Sequence, residues 1–166
     1  MQKIAVFGPS DPSEWISKEA VKIGRLIADI GWVVVNGGYG GVMEDVSRGA
    51  RASNGEVIGI TLKGIETKNA YLTEKREADF FERLQNLLKM PRIFFSPKGS
   101  IGSILEFVVS LNKAITEEDY PTILIIEESD NVFKLLKELL GEEHLKKIFV
   151  TNSSEKAIDR LKSYAG

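Results

Sequence analysis

The sequence predicts an α/β fold in three layers, a mainly parallel sheet of six or seven strands with helices on both faces, and three observations carry that prediction. Short apolar runs recur along the chain, stretches of helical periodicity separate them, and two glycine-rich turns follow apolar runs directly. Continuous apolar runs are the mark of strands buried on both faces, and their alternation with helices is the pattern of βαβ units. Such a sheet is Rossmann-like, with ligands expected at the carboxyl ends of its strands. At 166 residues the chain suits one domain spanning 1–166, and no repeat, low-complexity tract or linker divides it.

The predicted strands are Ile4–Phe7, Val33–Val35, Val57–Ile60, Ile93–Phe95, Ile123–Ile126 and Ile148–Val150. Asp11-Pro12-Ser13-Glu14 reads as a cap, a proline at the first helical position and an acid behind it, opening a helix that buries Ile16, Ala20, Ile23, Ile27 and Ile30 and stops at Gly31. A second helix begins in or just after Gly38-Tyr39-Gly40-Gly41, turns Val42, Met43, Val46 and Ala50 toward the sheet, and ends before Asn54-Gly55. Leu62 to Glu77 has no clean period and reads as a loop or irregular lid beside the pocket. Helix resumes over Ala78–Lys89, and another follows the second glycine turn with Ile104, Leu105, Val108, Val109 and Leu111 on its apolar face. Glu117 to Pro121 reads as an exposed loop, and Glu155–Tyr164 as the last helix.

Composition narrows the function. With 24 acidic and 22 basic residues the formal charge is −2, which argues against a nucleic-acid footprint; an anionic ligand must be gripped locally. The absence of cysteine removes disulfides, thiolate metal sites and cysteine nucleophiles, and suits a reducing cytoplasm. The single histidine, His144, stands among Glu142, Glu143 and Lys146 as a solvated helix residue, so neither a metal site nor a histidine triad is expected. No apolar stretch is long enough to span a bilayer, and the Met1–Phe7 segment is a strand rather than a signal peptide.

Three loops carry the candidate chemistry. In Phe7-Gly8-Pro9-Ser10, Gly8 permits close backbone approach and Ser10 or Asp11 is placed to touch a ligand, the alternative being an ordinary turn and helix cap, which is the reading favoured for Asp11 and Pro12. Asn36-Gly37-Gly38-Tyr39-Gly40-Gly41-Val42-Met43 packs four glycines between strand and helix, so its amides at a helix N-terminus form a phosphate or carboxylate site without a basic side chain. It is neither a Walker A loop nor a dinucleotide fingerprint, which belongs after the first strand. In Ser96 to Glu106, Gly99 and Gly102 turn the chain, Lys98, Ser100 and Ser103 offer polar groups, and Glu106 falls in the following helix with Arg83 as its candidate partner; a solvated acid and a surface ion pair are the plainer readings.

These residues resemble the LONELY GUY family of nucleoside monophosphate phosphoribohydrolases, long misassigned as lysine decarboxylases. The resemblance rests on Gly37 to Glu44, Ser47-Arg48-Gly49-Ala50 and Gly55 to Ile60, covers Ile4 to about Ile126, and is nearest to short prokaryotic members that also carry something like Asn69-Ala70-Tyr71-Leu72-Thr73. The family's second signature, Pro-Gly-Gly-x-Gly-Thr-x-x-Glu, corresponds to Pro97 to Glu106, with Lys98 for a glycine, one residue extra before Gly102 and Ser103 for threonine; Leu84 stands where an Arg-Lys pair would place lysine. The resemblance implies hydrolysis of an N-glycosidic bond without cofactor or metal, Glu106 and Arg83 acting in catalysis, and assembly as a homodimer or larger homo-oligomer. Its alternative is a protein that binds a nucleotide, or carries a phosphorylated cofactor such as the molybdenum cofactor, without turnover.

Overall fold

The structure, a computed structural model, describes residues 1–98, 100–117 and 122–165. Seven strands form one all-parallel sheet: β1 (Lys3–Phe7), β2 (Val33–Asn36), β3 (Val57–Leu62), β4 (Glu74–Ala78), β5 (Arg92–Phe95), β6 (Thr122–Ile125) and β7 (Ile148–Thr151), ordered β4-β3-β2-β1-β5-β6-β7. Alternate residues of each buried strand face opposite layers, as the two-residue period of a strand requires. Ile4, Val6, Val34, Val57, Ile93 and Phe95 pack under α1 (Glu14–Asp29), α2 (Val42–Ala52) and α7 (Ser154–Ala165). Ala5, Phe7, Val35, Ile58, Ile60 and Phe94 pack under α3 (Phe80–Leu87), α4 (Ile101–Thr116) and α5 (Val132–Leu139), with the short α6 (Glu142–Leu145) beside them.

Two contacts set where the candidate site lies. A Cβ on Gly24 of α1 would strike the Val46 carbonyl, and one on Gly49 of α2 would strike that of Val21, so these glycines let the two helices approach backbone to backbone. On the other face, Phe107 of α4 meets Phe94 edge-on at 5.2 Å, and Phe94 stacks on Phe7 at 4.4 Å, which pins α4 over β1 and β5.

The chain departs from its sequence reading at four places. Residues 74–78 form a strand: Thr73 bonds both the amide and the carbonyl of Val57, and β4 then pairs with β3 from Ile58↔Glu74 to Leu62↔Ala78. An edge strand needs no apolar face, and its charges, paired as Glu74–Arg76 and Lys75–Glu77, blunt the open edge, which is why no period marked it. The cap of α1 is Ser13, whose hydroxyl accepts the Ile16 amide; Asp11 and Pro12 precede the helix. The helix predicted from Ala78 begins only at Phe80, because Asp79 caps it and Ala78 still belongs to β4. The buried face of α4 is Ser103, Phe107, Ser110, Leu111 and Ala114, while Ile101 (87% exposed), Ile104, Leu105 and Val108 (55%) point outward. A helix apolar on two sides gives its period no means of choosing between them. His144 is exposed on α6, and of the predicted loop 117–121 only Glu117 falls within the described residues.

Candidate functional site

The turn between β2 and α2 is held from below by buried amides. Asn36, which ends β2 and is fully buried, donates from Nδ2 to the Met43 carbonyl (3.1 Å) and the Ser47 hydroxyl (3.0 Å), while its Oδ1 accepts the Gly38 amide (2.8 Å). Asn69, in the β3–β4 connection, donates to the Tyr39 carbonyl (3.1 Å) and to Ser47 Oγ (3.3 Å). Thr67 donates to the Gly38 carbonyl, and the Tyr39 hydroxyl accepts the Leu62 amide. Buried groups with these bonds made are costly to displace, so the turn is rigid before any ligand arrives.

What the turn leaves open is the end of α2. Its cap, Gly41, sits at φ 66°, ψ −136°, a conformation that suits glycine, and has no side chain to satisfy the first amides of the helix. The Val42 amide is taken by the Pro9 carbonyl (3.1 Å). Among the described residues, the amides of Tyr39, Gly40, Gly41 and Met43 have no acceptor. Such a helix end attracts anions, although Glu44 in the first turn, near Gly40, already draws on part of its potential.

Arg83 comes to this turn from α3. Its Nε donates to the Ile60 carbonyl (2.7 Å), an Nη lies where a Cβ on Gly37 would be, and the guanidinium stands 6.0 Å from the Tyr39 ring centre. Gly37 therefore makes room for Arg83. The other Nη meets Glu106 Oε1 of α4 at 3.2 Å, with both side chains largely buried, 11% and 14% exposed. Burial pushes the Glu106 carboxyl above its ordinary range, and Arg83 pulls against that. Met43, expected under the sheet, is half-buried with its sulfur against Gly37.

The second turn is built differently. Ser100 caps α4 by accepting the Ser103 amide (3.4 Å), so one of the orphan donors of that helix end is satisfied. Ser103 is buried and spends its hydroxyl on the Gly8 carbonyl (2.9 Å), tying α4 to the loop after β1. Gly102, expected to turn the chain, is an ordinary helical residue with open space beside it; Gly99 lies outside the described residues. Lys98 pairs with Asp130 at 2.7 Å. Gly8 abuts Val42, and the exposed Ser10 lays its backbone against Gly41.

A cavity of about 310 Å³ opens on the far side of the Pro9–Asp11 segment, among Asp11, Ser13, Ser96, Lys98, Glu127 and Asp130. The structure thus gathers Gly37 to Gly41, Met43, Arg83 and Glu106 at one place, and sets Lys98 at the cavity instead. Asn36, Ser47, Thr67 and Asn69 escaped sequence reasoning because uncharged residues carry no signal until their partners are known; the Asn69 to Thr73 stretch was noticed only by resemblance.

An all-parallel sheet with an open, uncapped helix end at the carboxyl side of its strands defines a Rossmann-like α/β protein. The chain belongs to the SLOG cluster4 family, whose model matches residues 1–116. It is 29% identical over 114 residues to an uncharacterized protein of Archaeoglobus fulgidus, an alignment covering 68% of this chain and 76% of that one. Among solved structures it resembles the molybdenum cofactor binding protein of the phototrophic bacterium Rippkaea orientalis, with a TM-score of 0.81 and 25% identity over 99% of this chain and 98% of that one. It also resembles the molybdenum cofactor carrier protein of Chlamydomonas reinhardtii, with a TM-score of 0.77 and 22% identity over 98% and 96% of the two chains, a likeness of fold alone. No helix among the described residues is long and apolar enough to cross a membrane.

Proposed function

We propose that the protein binds a small phosphorylated ligand, a nucleotide or a phosphorylated pterin of the molybdenum-cofactor type, and holds or carries it without chemical change. The observation that carries this reading is the uncapped N-terminus of α2, where several amides have no acceptor among the described residues, on a turn that Asn36, Ser47 and Asn69 hold in place. The near full-length likeness to the Rippkaea protein supports a cofactor of that chemistry as cargo. No basic side chain has to grip the phosphate, which accords with the acidic balance of the chain.

A second reading, hydrolysis of a nucleoside 5′-monophosphate to free base and ribose 5-phosphate as in the LONELY GUY family, is favoured by one observation: the Arg83–Glu106 pair. A departing base leaves positive charge on the sugar, which a carboxylate with few waters around it stabilises while orienting the attacking water. In this protein Arg83 already holds that carboxylate through one Nη and the Ile60 carbonyl through Nε, while its other Nη stands in the space that Gly37 leaves open. The two readings separate when the purified protein is incubated with a panel of nucleoside 5′-monophosphates. Binding by calorimetry without free base on chromatography is the expected result; base release that Glu106→Gln abolishes would replace the carrier with the hydrolase.

Assembly as a homodimer belongs to the same proposal. Ile101, Ile104, Leu105 and Val108 of α4, with Phe81 of α3, form an apolar surface that a second copy would cover beside Arg83 and Glu106.

A further inference from the structure

We propose that the cavity between the β1, β5 and β6 loops is the second half of the binding site, and that Asp11 and Glu127 there read an uncharged ring edge bearing adjacent N–H donors, the 2-amino-4-oxopyrimidine edge shared by guanine and pterins. The inference rests on the proposed function in placing the ligand's phosphate at α2.

The cavity stands at the crossover of the sheet. From β1 the chain winds outward through β2, β3 and β4, and then returns to place β5 on the other side of β1, so the loops after β1 and β5 part company there. Crevices of open parallel sheets form at such points. At about 310 Å³ the space suits a one- or two-ring ligand.

Its charges choose the ligand. Lys98 is neutralised by Asp130 at 2.7 Å, and among the described residues no cation pairs with Asp11 or Glu127. Two uncompensated carboxylates repel a phosphate and welcome donors. Ser13 donates to Glu127 Oε1 at 2.7 Å, which orients that carboxylate and leaves its other oxygen open. Carboxylates accept paired N–H groups, and hydrogen bonds to an ionised acceptor are stronger than those between neutral groups. The acids do not form a metal-holding cluster with one another among the described residues.

Ser96 supplies an independent sign of a missing partner. It lines the cavity, is 2% exposed, and its hydroxyl makes no hydrogen bond. It lies near enough to the Asp130 carboxylate to favour the ionised form, without the geometry of a bond. Buried hydroxyls without a well-made bond are uncommon, and a ligand atom in the cavity would complete what the nearby Asp130 carboxylate leaves unmade.

The two halves are also close enough for one ligand. A Cβ on Gly41 would lie 2.6 Å from the Pro9 carbonyl oxygen and from Ser10 Cα, so the cap of α2 touches the segment whose next residue is Asp11. One trans peptide moves the chain by about 3.8 Å. The phosphate seat and the acid edge are thus neighbours across Pro9 and Ser10.

Calorimetric titration of the full chain with GMP, IMP, AMP and phosphorylated 6-hydroxymethylpterin tests this. GMP or the pterin should bind about tenfold or more tightly than IMP, which lacks the 2-amino group, and than AMP. Asp11→Asn with Glu127→Gln should erase that preference while leaving AMP affinity within about twofold; Asp11→Asn alone, at an exposed position, covers the case in which the double variant does not fold. Preference for GMP over the pterin assigns the site to guanine nucleotides, and the reverse assigns it to pterins. Equal binding of GMP and IMP, or a preference that survives both substitutions, overturns the inference while displacement of all four by inorganic phosphate keeps the phosphate reading. Failure of all four to bind overturns both.

Discussion

The two glycine-rich turns look alike in sequence and differ in what they leave unpaired. At the β2–α2 turn the protein spends side chains on the carbonyls and on the inner amide, through Asn36, Thr67 and Asn69, and leaves the helix end bare behind Gly41. At the β5–α4 turn it caps the helix with Ser100 and uses Ser103 to anchor the loop of Gly8. Glycine content therefore does not make an anion site. Amides that the fold leaves unbonded make one: among the described residues those of Tyr39, Gly40, Gly41 and Met43 at the first turn, and those of Ile101 and Gly102 at the start of α4.

The largest effect that would break this comparison is an alanine in each turn. Gly41→Ala forces a side chain into φ 66° and against the backbone of Pro9 and Ser10, at a cost of about 2–3 kcal/mol and a melting temperature lower by about 5–10 °C. Gly102→Ala adds a methyl inside α4, 3.7 Å from the nearest atom, Ser100 Oγ, and should stabilise by about 0.5–1 kcal/mol. Thermal melts of the two variants decide it: equal losses would mean that the second turn is as constrained as the first.

A smaller effect, about 2 kcal/mol, belongs to the pair that bridges the turns. Arg83→Met removes the cation that keeps buried Glu106 ionised, so the carboxyl rises further. A carboxyl raised in the folded state holds its proton where the unfolded chain has released it, and stability is lost as pH climbs from 4.5 through the raised value. Urea melts between about pH 4 and 8 should fall with pH in the wild type and fall more steeply in Arg83→Met; parallel curves would show that Arg83 does not set the charge of Glu106.

The smallest effect lies far from both turns. Lys22 of α1 holds Glu155 of α7 at 2.5 Å and lowers its carboxyl to about 2, but half of the Glu155 side chain is exposed. Its contribution is present above 4.5 and fades as pH falls toward 2, and Glu155→Gln should cost less than about 1 kcal/mol at neutral pH, diminishing with salt. A larger cost would mean that surface pairs rival the buried one in this fold.

Much of the fold was legible because parallel strands buried on both faces must be apolar throughout, and helices covering them must repeat every three to four residues. The six runs from Ile4 to Val150 needed no partner to be recognised. β4 was hidden because only its register with β3 makes Glu74 to Ala78 a strand. Of the site, the glycines and the Arg83–Glu106 partnership were visible. Asn36, Ser47 and Asn69 were not, since their role is to bond atoms 7, 11, 22 and 30 residues away in the chain.

By itself the sequence determined the layered α/β class, the order of most of its strands and helices, and the places where glycine leaves the backbone without side chains. Those are local matters of period, propensity and glycine. The tertiary structure alone decided how each turn is held, which face of α4 is buried, and that Lys98 serves Asp130 at a cavity between loops. Each of these depends on which distant group arrives to bond or cover an atom, and no local pattern records that arrival.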